Sequence, residues 1–416
     1  MQWLSRVMLK LLIENTLVKV VGMEKEYKIL GNYIRLVDER NRDLAVTKLL
    51  GVSISKKFIP SIANIVGTDL SNYKIVRTGQ FAYGPVTSRN GEKISIAYLD
   101  EEDCIISSSY TVFEVENKEE LDPEYLMLWF SRPEFDRYAR YKSHGSVREI
   151  FDWNELCMVE LPVPDIEKQR KIVKAYKTIT DRIDLKQKIN DNLEATVQAI
   201  FKSEFIDYER ANYSDYIEFE FGKYPATWNL VDLDTAVDVR DGTHDSPSPT
   251  ESGKYLITSR HLLPYAVDRS DAYFISEADF KKANERSKVE YGDILFSMIG
   301  TIGIISFITD KEVDFAIKNV GLFRTSQNPT IRYFILSYLK SKIVENYIAS
   351  YMSGSTQSYV SLNVLRKIPL ILPTEDVLQH FEKQVAPLYA SMIENTHEIS
   401  KLNDLKDVIT TSLSSR

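Results

Sequence analysis

Two polar stretches of the sequence carry side chains whose types and spacing could do chemistry. The first is turn-rich and combines an aromatic ring, hydroxyls, an amide and cations: Tyr83, Thr87, Ser88, Arg89, Asn90 and Lys93. Such groups can donate to the edges of bases and hold phosphates. The alternative is a solvated hairpin, because Arg89-Asn90-Gly91 is a common turn sequence. Taken alone, these residues favour the hairpin.

The second stretch begins at Asp241-Gly242-Thr243-His244 and offers a similar mixture of donors. Its candidates for facing a nucleic acid are Thr243, His244, Lys254, Ser259 and Arg260. His244 and His261 suggest a metal site, but no third or fourth ligand stands at a useful spacing, which favours ordinary loop histidines. Gly300 and Gly303 suggest a phosphate cradle, yet the lysine of a P-loop is missing.

Two further motifs carry the letters of catalytic sites without their full pattern. Asp122-Pro123-Glu124-Tyr125 resembles an amino-methyltransferase motif, but its second proline is absent and no glycine-rich cofactor loop precedes it. The segment 164–168 has the letters of a nuclease motif packed too closely. Carboxylates favour helix starts, so capping explains both motifs. The sequence therefore predicts no catalytic site and no metal site.

The polar stretches must be held by the apolar elements around them, and the longest of these is a helical seam over 166–205. Its seam positions alternate in steps of four and three, and the apolar side chains among them include Ile172, Tyr176, Ile179, Ile183, Leu193 and Val197. So narrow a stripe can be buried only against a matching helix. The matching stripe comes later in the chain: Phe381, Val385, Leu388, Met392, Ile399 and Leu402. The polar seam positions Lys186 and Asn395 are predicted to restrict the register of the pair.

The second seam belongs to an internal repeat. The interval from Ile172 to Phe381 also separates Gly145-Ser146 from Gly354-Ser355 and Pro164 from Pro373. We call this constant interval the repeat offset. A repeat of this length decides the architecture. It predicts an α+β fold in which a mixed α/β globular part, a Gly-Ser turn, a short strand and a long helix occur twice.

Composition sets broader bounds. A chain of 416 residues is expected to form two or three domains. Only two cysteines, Cys104 and Cys157, and no apolar run of about 20 residues favour a reducing cytoplasm and no membrane. The net charge of −8 argues weakly against nucleic-acid binding, although a basic face can coexist with an acidic remainder. Residues 1–23 are an uncertain N-terminal extension, and Met1 and Met23 are alternative starts.

This repeated order resembles the specificity subunit of type I restriction-modification systems. Residues 165–173, with Gln169, are similar to the proline-led, glutamine-bearing start of that family's conserved helices. Asp241-Gly242-Thr243-His244 and the segment 292–303 resemble motifs of its target recognition domains. One departure is Pro387 inside the second seam, which predicts a bend or a restart of that helix.

The resemblance implies two target recognition domains separated by two long antiparallel coiled-coil helices, with an internal pseudo-twofold repeat. The domains would be the extension 1–23, recognition domain 1 at 24–160, the central conserved helix at 161–207, a linker at 208–227, recognition domain 2 at 228–369 and the distal conserved helix at 370–416. Each recognition domain would read one half of a bipartite, asymmetric target in double-stranded DNA, and the helices would set the spacer.

The resemblance also implies partners. Two methyltransferase subunits would dock on the helices and two restriction subunits would join them. S-adenosylmethionine, ATP and Mg would act in those partners, and this chain would hold no cofactor and no active site. A self-contained restriction or modification enzyme, and a coiled-coil scaffold without DNA binding, are the alternatives.

Overall fold

The structure is a computed structural model that describes residues 26–61, 67–88, 90–145, 148–209, 215–219, 222–353 and 359–413. The chain forms two compact units: unit 1 is Met1–Ile183 with Lys401–Arg416, and unit 2 is Asp184–Ser400. The predicted extension 1–23, Arg89 and the second Gly-Ser turn lie outside the described residues. None of the helices in the described ranges combines the length and apolar content that a membrane span requires.

Unit 1 is built on antiparallel strands. They are β1 (Tyr27–Ile29), β2 (Ile34–Val37), β3 (Leu50–Val52), β4 (Phe58–Pro60), β5 (Lys74–Val76), β6 (Phe81–Tyr83), β7 (Ile96–Tyr98), β8 (Cys104–Ile106), β9 (Thr111–Val115) and β10 (Glu160–Pro162). The helices are α1 (Pro123–Phe130), α2 (Pro133–Tyr141), α3 (Trp153–Cys157) and the first part of α4 (Ile166–Phe205). The main sheet has the order β2-β9-β6-β7. Its aromatic side chains pack with the apolar face of α4 in one core.

Unit 2 repeats this plan with additions. Its strands are β11 (Tyr216–Phe219), β12 (Gly222–Pro225), β13 (Asn229–Asp232), β14 (Val239–Asp241), β15 (Lys254–Ile257), β16 (Leu262–Leu263), β17 (Ala266–Val267), β18 (Phe274–Ile275), β19 (Ile294–Ser297), β20 (Ile305–Phe307), β21 (Phe315–Ile317), β22 (Val320–Phe323) and β23 (Pro369–Leu372). Its helices are α5 (Leu233–Ala236), α6 (Glu277–Ser287), α7 (Arg332–Leu339), α8 (Lys342–Ser353), α9 (Leu362–Arg366) and most of α10 (Glu375–Ser412). The main sheet has the order β14-β22-β19-β20. A second sheet, β18-β15-β21, contains the parallel pair β15 and β21.

The repeat offset recurs in the bounds of these elements. Helices α7 and α9 begin and end at this offset from α1 and α3, strand β20 follows β7 by the same interval, and α10 begins at the same interval after the start of α4. The four-stranded sheets also share their pattern of neighbours. The same backbone plan is therefore encoded twice.

The two long helices bury the residues of the predicted seams. In unit 2 the seam residues Val197, Phe381, Val385 and Met392 belong to the main core, and Leu193 and Leu388 pack against it. In unit 1 the seam residues Ile172, Ile179 and Leu402 are buried together, with Tyr176 and Ile183 against them. Ile399 is half-buried.

A layer of polar side chains interrupts the seam within unit 2. Lys186 Nζ donates to Asn395 Oδ1 at 2.7 Å, and Asn395 Nδ2 donates to Asn190 Oδ1 at 2.8 Å. Lys186 also pairs with Glu398 at 3.1 Å. Asn190 also contacts the backbone of Met392. The later residue of α4 thus contacts the earlier residue of α10, so the helices run antiparallel here.

The second helix continues through Pro387. α10 continues from Glu375 to Ser412 with this proline inside it, so the predicted restart does not occur. Proline removes one backbone hydrogen bond and crowds the preceding turn. Val385 and Tyr389 are fully buried on either side, and this packing holds the helix in one piece.

Candidate nucleic-acid interface

In unit 1 the polar loop leaves the sheet at Tyr83, whose side chain has no exposed surface. β6 is an inner strand of the sheet and all three of its residues are buried. The ring packs edge-on to Phe113 and Phe151. Burial raises the pKa of the Tyr83 hydroxyl above its ordinary value. The prediction that Tyr83 faces DNA is therefore corrected to a core position.

The loop after β6 packs against described residues on either side of the first Gly-Ser turn, whose Ser146 lies outside the described residues. Thr87 N donates to Glu149 O at 2.9 Å, and Thr87 Oγ1 donates to Ser143 Oγ at 2.9 Å. Thr87 is buried, so it joins the two segments and is a second correction to the predicted DNA-facing set. These segments are far apart in the sequence, and the fold unites them.

The exposed residues of this surface are polar or cationic. Ser88 and Lys93 are exposed, and Asn90 is half-buried with its amide donating to Val86 O at 3.3 Å. Arg148 and His144 are exposed on the neighbouring segment. Together these five residues form the loop surface of unit 1, which can present hydroxyl, amide and cationic donors to a ligand.

In unit 2 the predicted motif begins at the end of β14. Asp241 is 5% exposed, and the next residue passes close to another strand: a Cβ on Gly242 would lie 2.3 Å from Ile317 O. Only glycine fits this approach. Thr243 then pairs with Lys318 through a backbone bridge. The close approach fixes where the following histidine stands.

The buried carboxylate of Asp241 holds two exposed side chains. Oδ1 accepts from Arg286 Nη2 at 2.7 Å, and Oδ2 lies 3.0 Å from His244 Nε2. His244 Nδ1 lies 2.8 Å from Asn319 Oδ1. We call Arg286, Asp241, His244 and Asn319 the Asp241 cluster. Its outer side chains come from α6 and from the turn between β21 and β22.

Lysines flank the Asp241 cluster. Lys282 on α6 pairs with Asp245 at 2.9 Å, and Lys318 donates to Ser246. The hydrogen bond from Lys282 lowers the pKa of Asp245, which therefore stays ionised at neutral pH. Cations on flexible stems beside a fixed loop suit contacts with phosphates.

The other predicted DNA-facing residues of unit 2, which are Lys254, Ser259 and Arg260, have their surroundings outside the Asp241 cluster. Lys254 starts β15 and lies over the Phe280 ring at 5.8 Å. The Ser259 hydroxyl is buried without a partner among the described residues. Arg260 is exposed, and its Nε donates to His261 Nε2 at 3.1 Å. Of these three residues, only Arg260 is both charged and exposed.

The catalytic-looking motifs are helix caps, which confirms the interpretation of their carboxylates. Asp122 accepts from the backbone of Glu124 and Tyr125 at 2.9 and 3.0 Å, and Asp165 accepts from Lys168 N at 3.0 Å. Across the described ranges, no three His, Cys, Asp or Glu side chains are grouped so that they could hold a metal ion.

Sequence reasoning missed Arg286, Asn319, Lys282 and Lys318. Arg286 lies 45 residues after Asp241, and Asn319 lies 75 residues after His244. No periodic pattern connects such positions. The segment that forms α6 carries three cations and three carboxylates, so its charge gave no signal either.

Known proteins resemble this chain along most of its length. The family model of the type I restriction modification DNA specificity domain matches residues 55–195 and 225–399. The MjaIX specificity subunit of Methanocaldococcus jannaschii is 26% identical, over 69% of this chain and 67% of that protein. The HindI specificity subunit of Haemophilus influenzae is 22% identical, over 92% and 97%.

A solved structure shares the fold. The type I restriction-modification S subunit from M. genitalium superposes with a TM-score of 0.56 at 14% identity, covering 95% of this chain and 97% of that one. Because the family model matches more than half of the chain in two separate segments, the chain belongs to the type I restriction modification DNA specificity domain family.

Proposed function

We propose that the chain is the DNA-reading component of a type I restriction-modification complex, in which units 1 and 2 each read one half of a split, asymmetric target. The observation that carries the proposal is a repeated backbone with different polar surfaces. The helix bounds and sheet orders recur at the repeat offset, whereas unit 1 presents Ser88 and Lys93 and unit 2 presents the Asp241 cluster. Two similar backbones that carry different hydrogen-bond donors are suited to reading two different half-sites.

The same difference appears at one backbone position in each unit. Lys56 and Tyr265 are equivalent in the repeat, and both have left-handed φ angles, of 64° and 60°. Lys56 pairs with Asp136 within unit 1, whereas Tyr265 donates to Glu194 of α4 within unit 2. The backbone conformation is the same at this position while the side-chain chemistry differs, which agrees with one scaffold that carries different side chains in the two units.

The helices would set the distance between the half-sites and dock two methyltransferase subunits, with two restriction subunits completing the complex. The polar layer at Lys186, Asn190 and Asn395 supports this role, since buried polar pairs restrict helix register at a cost in stability. Methyl transfer from S-adenosylmethionine and ATP- and Mg-dependent cleavage would belong to the partners, and this chain would be non-catalytic.

The test is a methylation map of DNA from cells that express this chain with its neighbouring methyltransferase subunit, compared with the methyltransferase subunit alone. We expect a new split motif only when this chain is present. Exchange of residues 228–369 for those of another family member should then change one half of the motif. An assembled complex that yields no motif and shows no salt-dependent DNA binding would favour the scaffold alternative.

A further inference from the structure

The Asp241 cluster is a continuous series of polar contacts that begins at the exposed Arg286 side chain and ends at the half-buried Asn319 side chain. The successive contacts, from Arg286 to Asp241, to His244 and to Asn319, measure 2.7, 3.0 and 2.8 Å. We propose that Arg286 and Asn319 determine the sequence preference of unit 2 by contacting base edges, and that Asp241 and His244 position them. The inference rests on the proposed function and names residues that carry it.

The carboxylate at the centre of the Asp241 cluster cannot itself contact DNA. Asp241 is buried and uses one carboxylate oxygen for Arg286 and the other for His244. A buried carboxylate is costly unless such partners satisfy it, so its burial fixes both neighbours. Asp241 is therefore a positioning residue.

The Arg286 end has the geometry of a base reader. Its side chain is 54% exposed, and Nη2 alone is engaged by Asp241 and the adjacent carbonyls, so Nε and Nη1 have no partner in the described part of the chain. The guanidinium edge formed by Nη1 and the second N–H of Nη2 can donate two parallel hydrogen bonds to guanine O6 and N7. The carboxylate holds the plane of the group and offsets part of its charge. Both effects favour an oriented base contact over a phosphate contact, for which Lys282 and Lys318 stand nearby.

At the other end, His244 acts as a support. Both of its ring nitrogens are engaged inside the protein, although the ring is exposed. The predicted DNA contact through His244 is thus reassigned to Asn319. Asn319 has a φ of 53°, which asparagine tolerates better than most residues, and its Nδ2 has no partner within the described ranges. An asparagine amide pairs with adenine N6 and N7.

The test compares methylation maps of the assembled complex carrying single variants of this chain. Arg286→Ala should reduce discrimination at one base pair by about 5- to 150-fold, the range expected for loss of one good side-chain pairing with a base. Arg286→Lys keeps the charge but loses the fork, so it should lose the same preference. Lys282→Ala is the matched control on the same helix. It should leave the motif unchanged and weaken binding equally on all sequences, lowering the salt slope by about one.

The positioning role has its own readout. Asp241→Ala should relax the same base pair as Arg286→Ala, and the double variant should be no worse than the single ones. Asp241→Asn should restore the preference, because an amide oxygen can still accept from Arg286 while its NH₂ group meets the histidine. Arg286 is largely exposed, so its variants should fold even if Asp241→Ala does not.

The outcomes separate the inference from the proposed function. A wild-type complex that yields no split motif and shows no salt-dependent DNA binding would refute the proposed function. A wild-type motif that stays unchanged in both halves with Arg286→Ala, Arg286→Lys and an Asn319→Ala variant would refute the inference alone. A uniform loss of binding with Arg286→Ala, equal to that of Lys282→Ala, would make Arg286 a phosphate contact and would also overturn it.

Discussion

Replacement of Gln169 by leucine should loosen the first turns of α4 from the start of α1 in unit 1. The Gln169 side chain is fully buried, accepts from Asp122 N at 2.8 Å and donates to Glu120 O and Pro164 O at 2.8 and 2.7 Å. Leucine has a similar size but would leave these three backbone groups without a partner. The repeat equivalent in unit 2 is Leu378, so the contact belongs to one unit only.

The expected cost follows from those three groups. A buried backbone group that loses its partner costs about 1–3 kcal/mol. Burial of the leucine side chain in place of an amide recovers about 1–2 kcal/mol. Because neighbouring losses are not additive, we expect the free energy of unfolding of unit 1 to fall by about 2–4 kcal/mol.

Urea unfolding of the full chain, followed by tryptophan fluorescence, measures this change. Trp129 and Trp153 lie in unit 1 and Trp228 lies in unit 2. Variants that keep a single tryptophan therefore show which unit unfolds in each transition and which transition is shifted. Hydrogen exchange at the Asp122 amide gives a local readout, since that amide donates to Gln169. Lys171→Leu, at an exposed position of α4 within unit 1, is the matched control.

Two results would refute the reasoning. One is an unfolding free energy within about 0.5 kcal/mol of the Lys171→Leu control, which is the scale of ordinary surface substitutions. The other is unchanged exchange at the Asp122 amide, which would mean that the hydrogen bond from Asp122 N is not held by Gln169. A large loss with unchanged local exchange would assign the cost to packing instead.

Three further predictions test the site, a titrating group and the helix pair. Gly242→Ala should displace the loop after β14 and weaken target discrimination by unit 2 in the methylation map, whereas Gly51→Ala, with 3.7 Å to its nearest neighbour, should not. Burial raises the pKa of Glu382 to about 7, so the free energy of unfolding should fall as the pH rises from about 4.5 to 7. Glu382→Gln should remove about 1–2 kcal/mol of that loss, after allowance for solvent screening. Equal pH profiles of stability for the variant and the wild type would contradict this. Asn190→Leu leaves Asn395 Nδ2 without its acceptor and should lower the free energy of unfolding by about 1–3 kcal/mol, measured as a shift in thermal unfolding. The double variant Asn190→Leu with Asn395→Leu should recover part of this loss.

The two predicted surfaces differ in how much the sequence could reveal. For unit 1, the polar composition of the loop after β6 indicated Ser88 and Lys93, which are exposed, but it could not exclude Tyr83 and Thr87, which are buried. Exclusion required the strand order, which makes β6 an inner strand, and the docking of Thr87 on Glu149. For unit 2, the motif at Asp241 was visible, whereas the direction of each side chain was not.

The sequence by itself determined the internal repeat, the long helices and the helix caps, because apolar spacing and capping depend on residues within a few turns of one another. Only the tertiary structure decided which polar side chains reach the surface. The Asp241 cluster joins residues 45 and 75 positions apart, and the sheet and α6 bring them together. Contacts of that separation leave no periodic trace, so the residues that we propose read DNA emerge only from the folded chain.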